Sequence, residues 1–154
     1  MSVLAAARAR EAGDPDVPAL VAAYEWLFAP PGARPADWDP DRAARTLRDL
    51  IADPRAAVLV AGGAGDVDGL CTVALHPPSV RFGERAWVAD LAVHPDRRGR
   101  GTGRLLLDAA RDWARRHGAH VLELESALGR IDAHRFYERE RPDRRALSFG
   151  WELR

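Results

Sequence analysis

Apolar residues recur along this chain in two rhythms, and the switch between them divides it into elements. Unbroken apolar runs predict strands at Ala56 to Ala61, at about Asp68 to Leu75, at Trp87 to Val93 and at Val121 to Glu125, the last apolar enough to be an inner strand. Arg145 to Leu153 alternates instead. Leu147, Phe149, Trp151 and Leu153 share one side and Ala146, Ser148, Gly150 and Glu152 the other, which predicts a half-buried strand. Helical spacing predicts a first helix from the turn at Gly13 to Pro18, capped by Asp14 or Asp16, to about Phe28, with Leu20, Ala23, Tyr24 and Leu27 on one face. A second helix follows Asp39-Pro40-Asp41, its stripe formed by Ala43, Ala44, Leu47, Leu50 and Ile51. A long one runs from Leu105 through Leu106, Ala110 and Trp113 to Gly118, a C′ glycine, and a short one covers Arg130 to Arg139. Pro30 to Pro35 and Pro77 to Glu84 break the pattern as loops, and Gly62 to Asp66 as a hairpin turn. Ser2 to Glu11 is ambiguous, because its Ala and Arg content favours helix.

These elements belong to one domain: 154 residues suit a single core and are few for two. The 23 basic and 23 acidic residues cancel, which argues against a general nucleic-acid or membrane-surface binder. One cysteine, Cys71, excludes an internal disulfide, and its apolar surroundings make it a buried small residue sooner than a nucleophile. No signal segment opens the sequence and no apolar run reaches the ~18 residues of a membrane helix, so the expected compartment is the cytoplasm. The histidines and Cys71 lack zinc-ligand spacing, and no metal is expected. Ser126 has no nucleophile-elbow setting, which argues against acyl-enzyme chemistry.

The chemistry gathers between Trp87 and His117. The strand there carries one carboxylate, Asp90, and ends at Pro95; Gly99, Gly101 and Gly103 then alternate with Arg98, Arg100, Thr102 and Arg104 before the long helix. Glycines let a backbone bend tightly against a ligand, and the first N–H groups of a helix have no partner within it. Together they suit a pyrophosphate, which the arginines can meet directly. A dinucleotide fold would place Gly-x-Gly-x-x-Gly early in a βαβ unit with an acidic residue ~20 positions on. This turn has Gly-x-Gly-x-Gly, late in the chain, and no Gly-Lys-Ser/Thr triplet offers a P-loop.

Leu91-Ala92-Val93-x-Pro95-x-x-Arg98-Gly99-Arg100-Gly101-Thr102-Gly103 resembles motif A of the GCN5-related N-acetyltransferases, written Gln/Arg-x-x-Gly-x-Gly/Ala. Arg130-Ile131-Asp132-Ala133-His134-Arg135-Phe136-Tyr137-Glu138 is similar to that family's final-helix motif, Asn-x-x-Ala-x-x-Phe-Tyr-Glu. With His134 and the ending Arg-Arg-Ala-Leu-Ser-Phe-Gly-Trp-Glu-Leu, it looks like the subset related to aminoalkylphosphonate N-acetyltransferases.

The resemblance implies an α/β domain over residues 1–154, a mixed, mostly antiparallel sheet with helices on both faces, and a first strand in Ser2 to Glu11. It implies acetyl-CoA as co-substrate, held by Leu91, Ala92 and Val93 of a splayed strand and by the turn from Arg98 to Arg104. The partners it implies are a small primary amine, acetylated by direct attack in a ternary complex, and a second copy of the chain in a homodimer; neither nucleic acid nor membrane is expected. Acetyl transfer needs an amine stripped of its proton and a departing thiolate given one. Tyr137 falls on the family's thiolate-protonating tyrosine. Asp90, alone in an apolar strand where burial should raise its pKa, is the candidate proton acceptor, directly or through water. Trp26, Phe28 and Trp38, from the segment that lines the family's acceptor site, are candidate substrate contacts, with Ser126, Arg130 and His134. Two departures stand out: Arg130 replaces a cofactor-binding Asn, and Arg141-Pro142 replaces the usual Gly-aromatic pair after the helix. The rival readings are a non-catalytic acyl-CoA sensor and a nucleic-acid module using the Arg-rich turn.

Overall fold

Five strands pair into one sheet of order β1-β2-β3-β4-β5: Ala9–Glu11, Ala56–Ala61, Gly69–Leu75, Arg85–Val93 and Val121–Leu124. The computed structural model describes residues 8–153; the chain divides into two compact units, the first ending at Leu124 and the second beginning at Glu125. Neighbours from β1 to β4 are antiparallel, while β5 runs parallel to β4. The hairpin between β2 and β3 depends on Gly62, whose φ of 119° and a virtual Cβ only 2.1 Å from the Asp66 carbonyl oxygen exclude any side chain. Of the expected first strand, Ala9–Glu11 forms; residues 2–7 lie outside the described residues. The expectation that the Val121 strand is inner is corrected. Among the described residues β5 is an edge strand, and all four of its residues are half-buried.

Both faces of the sheet are covered. Helix α1 is Val17–Ala23, α2 Glu25–Phe28, α3 Pro40–Ala52 and α4 Thr102–Arg116. On one face Ala57, Leu59, Ala61, Cys71, Val73, Ala86 and Val88 pack with Leu106, Ala110 and Trp113 of α4. On the other, Val58, Val60, Leu70 and Ala92 pack with Val17, Leu20 and Ala23 of α1 and Leu47 of α3. Alternate residues of β2 thus enter two different cores, which is why that strand is apolar at every position.

Local chemistry sets the helix ends. Asp39 accepts from the N–H groups of Asp41 and Arg42 and starts α3. Asp16 accepts two bonds from the Arg10 guanidinium, both 2.8 Å, and one each from the Gly13 and Gly65 N–H groups. The Arg10 bonds foremost, with the backbone donors, hold its carboxyl well below the usual carboxylate range. The single helix expected up to Phe28 breaks at Tyr24, a turn residue between α1 and α2.

In the second unit, α5 covers Ile131–Arg139. Arg141 follows its C-cap in a left-handed conformation with φ 53°, the position where glycine is the ordinary choice. The strand expected from Arg145 to Leu153 does not form; the segment has no regular structure and pairs with no strand among the described residues. Leu147, Phe149, Trp151 and Leu153 are 71%, 75%, 80% and 94% exposed. Alternation selects a common side for these residues but supplies no ladder partner, and a strand exists only in a ladder.

Candidate active site

The site begins with an irregularity in β4. Thr72 pairs with Asp90 but Val73 pairs with Val88, so Ala89 is an extra residue, a β-bulge. Before it, Ala86 and Val88 point into the α4-side core; after it, Leu91 and Val93 take that side and Ala92 turns to the α1–α3 side. Unbroken alternation would have sent Asp90 to the α4-side core with Ala86 and Val88. The bulge re-aims it to the opposite face, where it is half-buried and lines a cleft.

Two groups hold Asp90 in place. Its N–H donates to Thr72 Oγ1 at 3.0 Å, and its Oδ2 accepts from the Tyr24 hydroxyl at 2.8 Å. Tyr24 reaches it from the break between α1 and α2. Burial, with the Asp90 charge next in weight, pushes the Tyr24 phenol far above its usual value, so it stays a donor. The cleft holds about 320 Å³ and is also walled by Trp38, Asp39, Arg42, Thr46, Leu47 and Leu50. The Trp38 ring stacks on Tyr24 at 5.6 Å and meets the edge of Phe28 at 4.6 Å. Trp26 belongs elsewhere: its ring meets His94 at 5.0 Å on the β4–α4 connection. Tyr24 and Thr72 were missed as site residues. Tyr24 sat on an apolar helical stripe, and Thr72 in an apolar strand offered only its hydroxyl as a signal.

The same strand leads into the glycine turn. Pairing of β4 with β5 ends at Val88–Leu124, so among the described residues Ala89 to Val93 keep only β3 as a ladder partner. Pro95–Arg97 forms a 3-10 turn started by His94, whose Nδ1 accepts from the Asp96 N–H, and Arg98 donates to the Val93 carbonyl. Gly99 and Gly101 then take φ of 72° and 84° with open space around their virtual Cβ atoms. Helix α4 starts at Thr102, three residues earlier than its apolar spacing suggested, because Gly103 and Arg104 carry no apolar signal. Gly69 lets β3 pass beneath this start; a Cβ there would lie 2.8 Å from Leu106 Cδ1 and 3.1 Å from the Ala92 carbonyl oxygen. Arg98, Arg100 and Arg104 are exposed around the turn, and Arg104 also meets Asp108 on the next helical turn at 3.8 Å.

The remaining candidates lie in the second unit. Tyr137 is half-buried on α5, its ring tilted against Phe136 at 5.1 Å. His134 Nε2 lies 2.9 Å from the Ala127 carbonyl oxygen and ties the loop before α5 to the helix. Arg130 occupies the N-cap position of α5. Ser126 Oγ is buried with no hydrogen-bond partner among the described residues. Burial first, and the Asp90 charge second, push the Cys71 thiol up to about 12, so no thiolate nucleophile is available there at neutral pH. Among the described residues no cluster of three or more His, Cys, Asp or Glu could hold a metal, and no helix is long and apolar enough to cross a membrane.

A family model described as "Acetyltransferase (GNAT) family" matches residues 20–141. The uncharacterized N-acetyltransferase YhdJ of Bacillus subtilis (strain 168) is 48% identical over 64 residues, 42% of this chain and 45% of that protein. The aminoalkylphosphonate N-acetyltransferase of Salmonella typhimurium is 36% identical over 93 residues, 58% of either protein. The chain thus matches about half the length of these curated relatives. The solved structure of AAC(6')-Iy in complex with the bisubstrate analogue CoA-S-monomethyl-acetylneamine matches with a TM-score of 0.81, covering 96% of this chain and 98% of that one. At 13% identity that likeness is one of fold.

Proposed function

The chain belongs to the acetyltransferase (GNAT) family, and from that premise we propose that it transfers the acetyl group of acetyl-CoA to the nitrogen of a small primary amine by direct attack in a ternary complex. The observation that carries this reading is a single strand joining two sites. The half of β4 that pairs with β3 but no longer with β5 runs from the cleft at Asp90 into the glycine turn at Gly99 and Gly101.

The turn fits a pyrophosphate by its own geometry. Gly99 and Gly101 have positive φ with open space where a Cβ would lie, at the positive end of a 15-residue helix. The donors Gly99 to Gly103 and the guanidinium groups of Arg98, Arg100 and Arg104 would hold the phosphates. The backbone of Leu91, Ala92 and Val93, on the side away from β3, would hold the pantetheine arm in strand-like pairing. When bound, acetyl-CoA supplies an acetyl group activated as a thioester. Asp90 takes a proton from the acceptor's ammonium, directly or through water, and Tyr137 supplies the proton that the departing thiol needs. In total, ammonium and thioester yield an amide, a free thiol and one proton.

Cleft chemistry favours a cationic acceptor. Asp39 and Asp90 face a single Arg42, whose guanidinium already donates to Asp37 at 2.7 Å and 3.2 Å. The Trp38 and Tyr24 rings add faces that attract ammonium groups. The compartment is read as the cytoplasm and the assembly as a homodimer, and the test depends on neither. Purified protein is given acetyl-CoA and a panel of polyamines, aminoglycosides, amino acids, aminoalkylphosphonates and peptide amines, scored by release of free thiol. Turnover with at least one amine, greatest among those without an anionic group, is expected. Absence of turnover across the panel with intact coenzyme A binding would make the protein an acyl-CoA sensor.

A further inference from the structure

Asp90 is held more tightly than an exposed strand carboxylate needs to be. Thr72, 3% exposed, receives its N–H on the β3 side of the bulge. On the helix side, the Tyr24 hydroxyl points at Oδ2 from the one residue that interrupts α1 and α2. Tyr24 keeps a helical backbone there and lies against the apolar cluster of Leu20 and Ala23, with only its hydroxyl reaching the carboxylate. The ring is itself held, stacked on Trp38 and tilted against Phe28 at 6.4 Å, so the hydroxyl has little freedom.

We propose that Tyr24 is the positioning residue of Asp90: its hydroxyl occupies Oδ2 and so leaves Oδ1 turned to the acceptor amine in the cleft. This rests on Asp90 being the proton acceptor. Tyr24 takes no part in the proton transfer, because its phenol is held protonated throughout the neutral range. Its contribution is orientation. A carboxylate free to rotate about its last torsion presents its oxygens in many directions, and small errors in placement are costly in rate. An ammonium approaching between Oδ1 and the Trp38 face meets a carboxylate already aimed at it. No new covalent step is involved: the proton passes from nitrogen to Oδ1 and leaves to solvent when the cycle closes.

The test is a cycle of four proteins, wild type, Tyr24→Phe, Asp90→Asn and the double variant, assayed with an amine turned over by the wild type. Rates are referred to folded protein by melting curves on the same preparations. Tyr24→Phe keeps the ring and its stacking and should lower kcat about tenfold with the KM for acetyl-CoA unchanged. Asp90→Asn should lower kcat by roughly 10²-fold. The double variant should be no slower than Asp90→Asn alone, since a clamp without its carboxylate has nothing to orient. Full kcat in Tyr24→Phe, with the Asp90→Asn loss intact, would overturn this inference and leave the Asp90 reading standing. A tenfold cost of Tyr24→Phe on top of Asp90→Asn would also overturn it, since Tyr24 would then act independently of the carboxylate. Full kcat in Asp90→Asn would remove both readings together.

Discussion

Apolar patterns that predict strands occur in both units of this chain and lead to opposite ends. In β2 successive residues enter two covered faces, and all six are buried. From Leu147 to Leu153 alternation leaves every apolar side chain at least 71% exposed. Both signals predict a strand, one by an unbroken run and one by alternation, but the ladders differ. β2 lies between two antiparallel neighbours, whereas the last segment has none among the described residues. The two helix ends repeat the contrast. α4 closes on Gly118 with φ 80°, and α5 on Arg141, a residue with a Cβ, at φ 53°. The first unit is built from residues that suit their positions, while the second carries residues at odds with theirs.

The contrast is broken most easily through Trp113 and Trp151. Trp113 is 1% exposed and stacks on His117 at 4.0 Å, so Trp113→Ala should cost about 3–5 kcal/mol in denaturant unfolding. Trp151→Ser, at an 80% exposed position, should stay within about 0.5 kcal/mol. Equal losses would mean that the last segment is packed in solution and that the contrast is wrong.

A second test asks whether the less regular unit still supplies chemistry. Tyr137→Phe removes one oxygen and should lower kcat by roughly 10²-fold, with little change in melting temperature or in the KM for acetyl-CoA. Full turnover in a protein of lowered melting temperature would make Tyr137 a packing residue and confine the chemistry to the first unit.

The Asp16 cluster sharpens the comparison from the stable side. Removing its charge by Asp16→Asn should cost about 2 kcal/mol at neutral pH, the scale of hydrogen bonds to a charged group. Because the folded carboxyl is held below its unfolded value, its contribution is complete above the ordinary carboxylate range. It is lost as pH falls through that range and below it, since the unfolded chain then binds the proton first. The wild type should therefore lose stability on acidification faster than Asp16→Asn, as urea midpoints from pH 6 to pH 3 would show. Parallel curves would locate the acid sensitivity elsewhere.

The smallest effect belongs to Arg141. Arg141→Gly relieves the left-handed strain and should raise stability by about 1 kcal/mol, measured by thermal unfolding. A loss would mean that the arginine side chain contributes more than its backbone conformation costs.

What could be read from the sequence divides along physical lines. Caps, breaks and buried runs were legible, because Asp39, Pro30 and the Ala56–Ala61 run act on their own neighbours. So was the turn, where Gly99 and Gly101 take the positive φ that their spacing asked for. Asp90 was legible as a lone carboxylate, but its direction was not: that depends on Ala89, a bulge residue whose identity signals nothing. Tyr24 was hidden because a helix break looks like helix when both sides are apolar. The fate of the last segment was equally hidden, because whether a strand finds a ladder is decided by distant parts of the chain.

The central claim is that the strand–turn–helix from Asp90 to Arg104 holds coenzyme A, and isothermal titration of coenzyme A tests it most directly. The wild type should bind. Gly101→Glu, which sets a carboxylate where phosphate is expected, should weaken binding by about 2 kcal/mol, or roughly 30-fold in Kd, while the protein stays folded. An unchanged Kd in the folded variant would place the cofactor elsewhere and contradict the account.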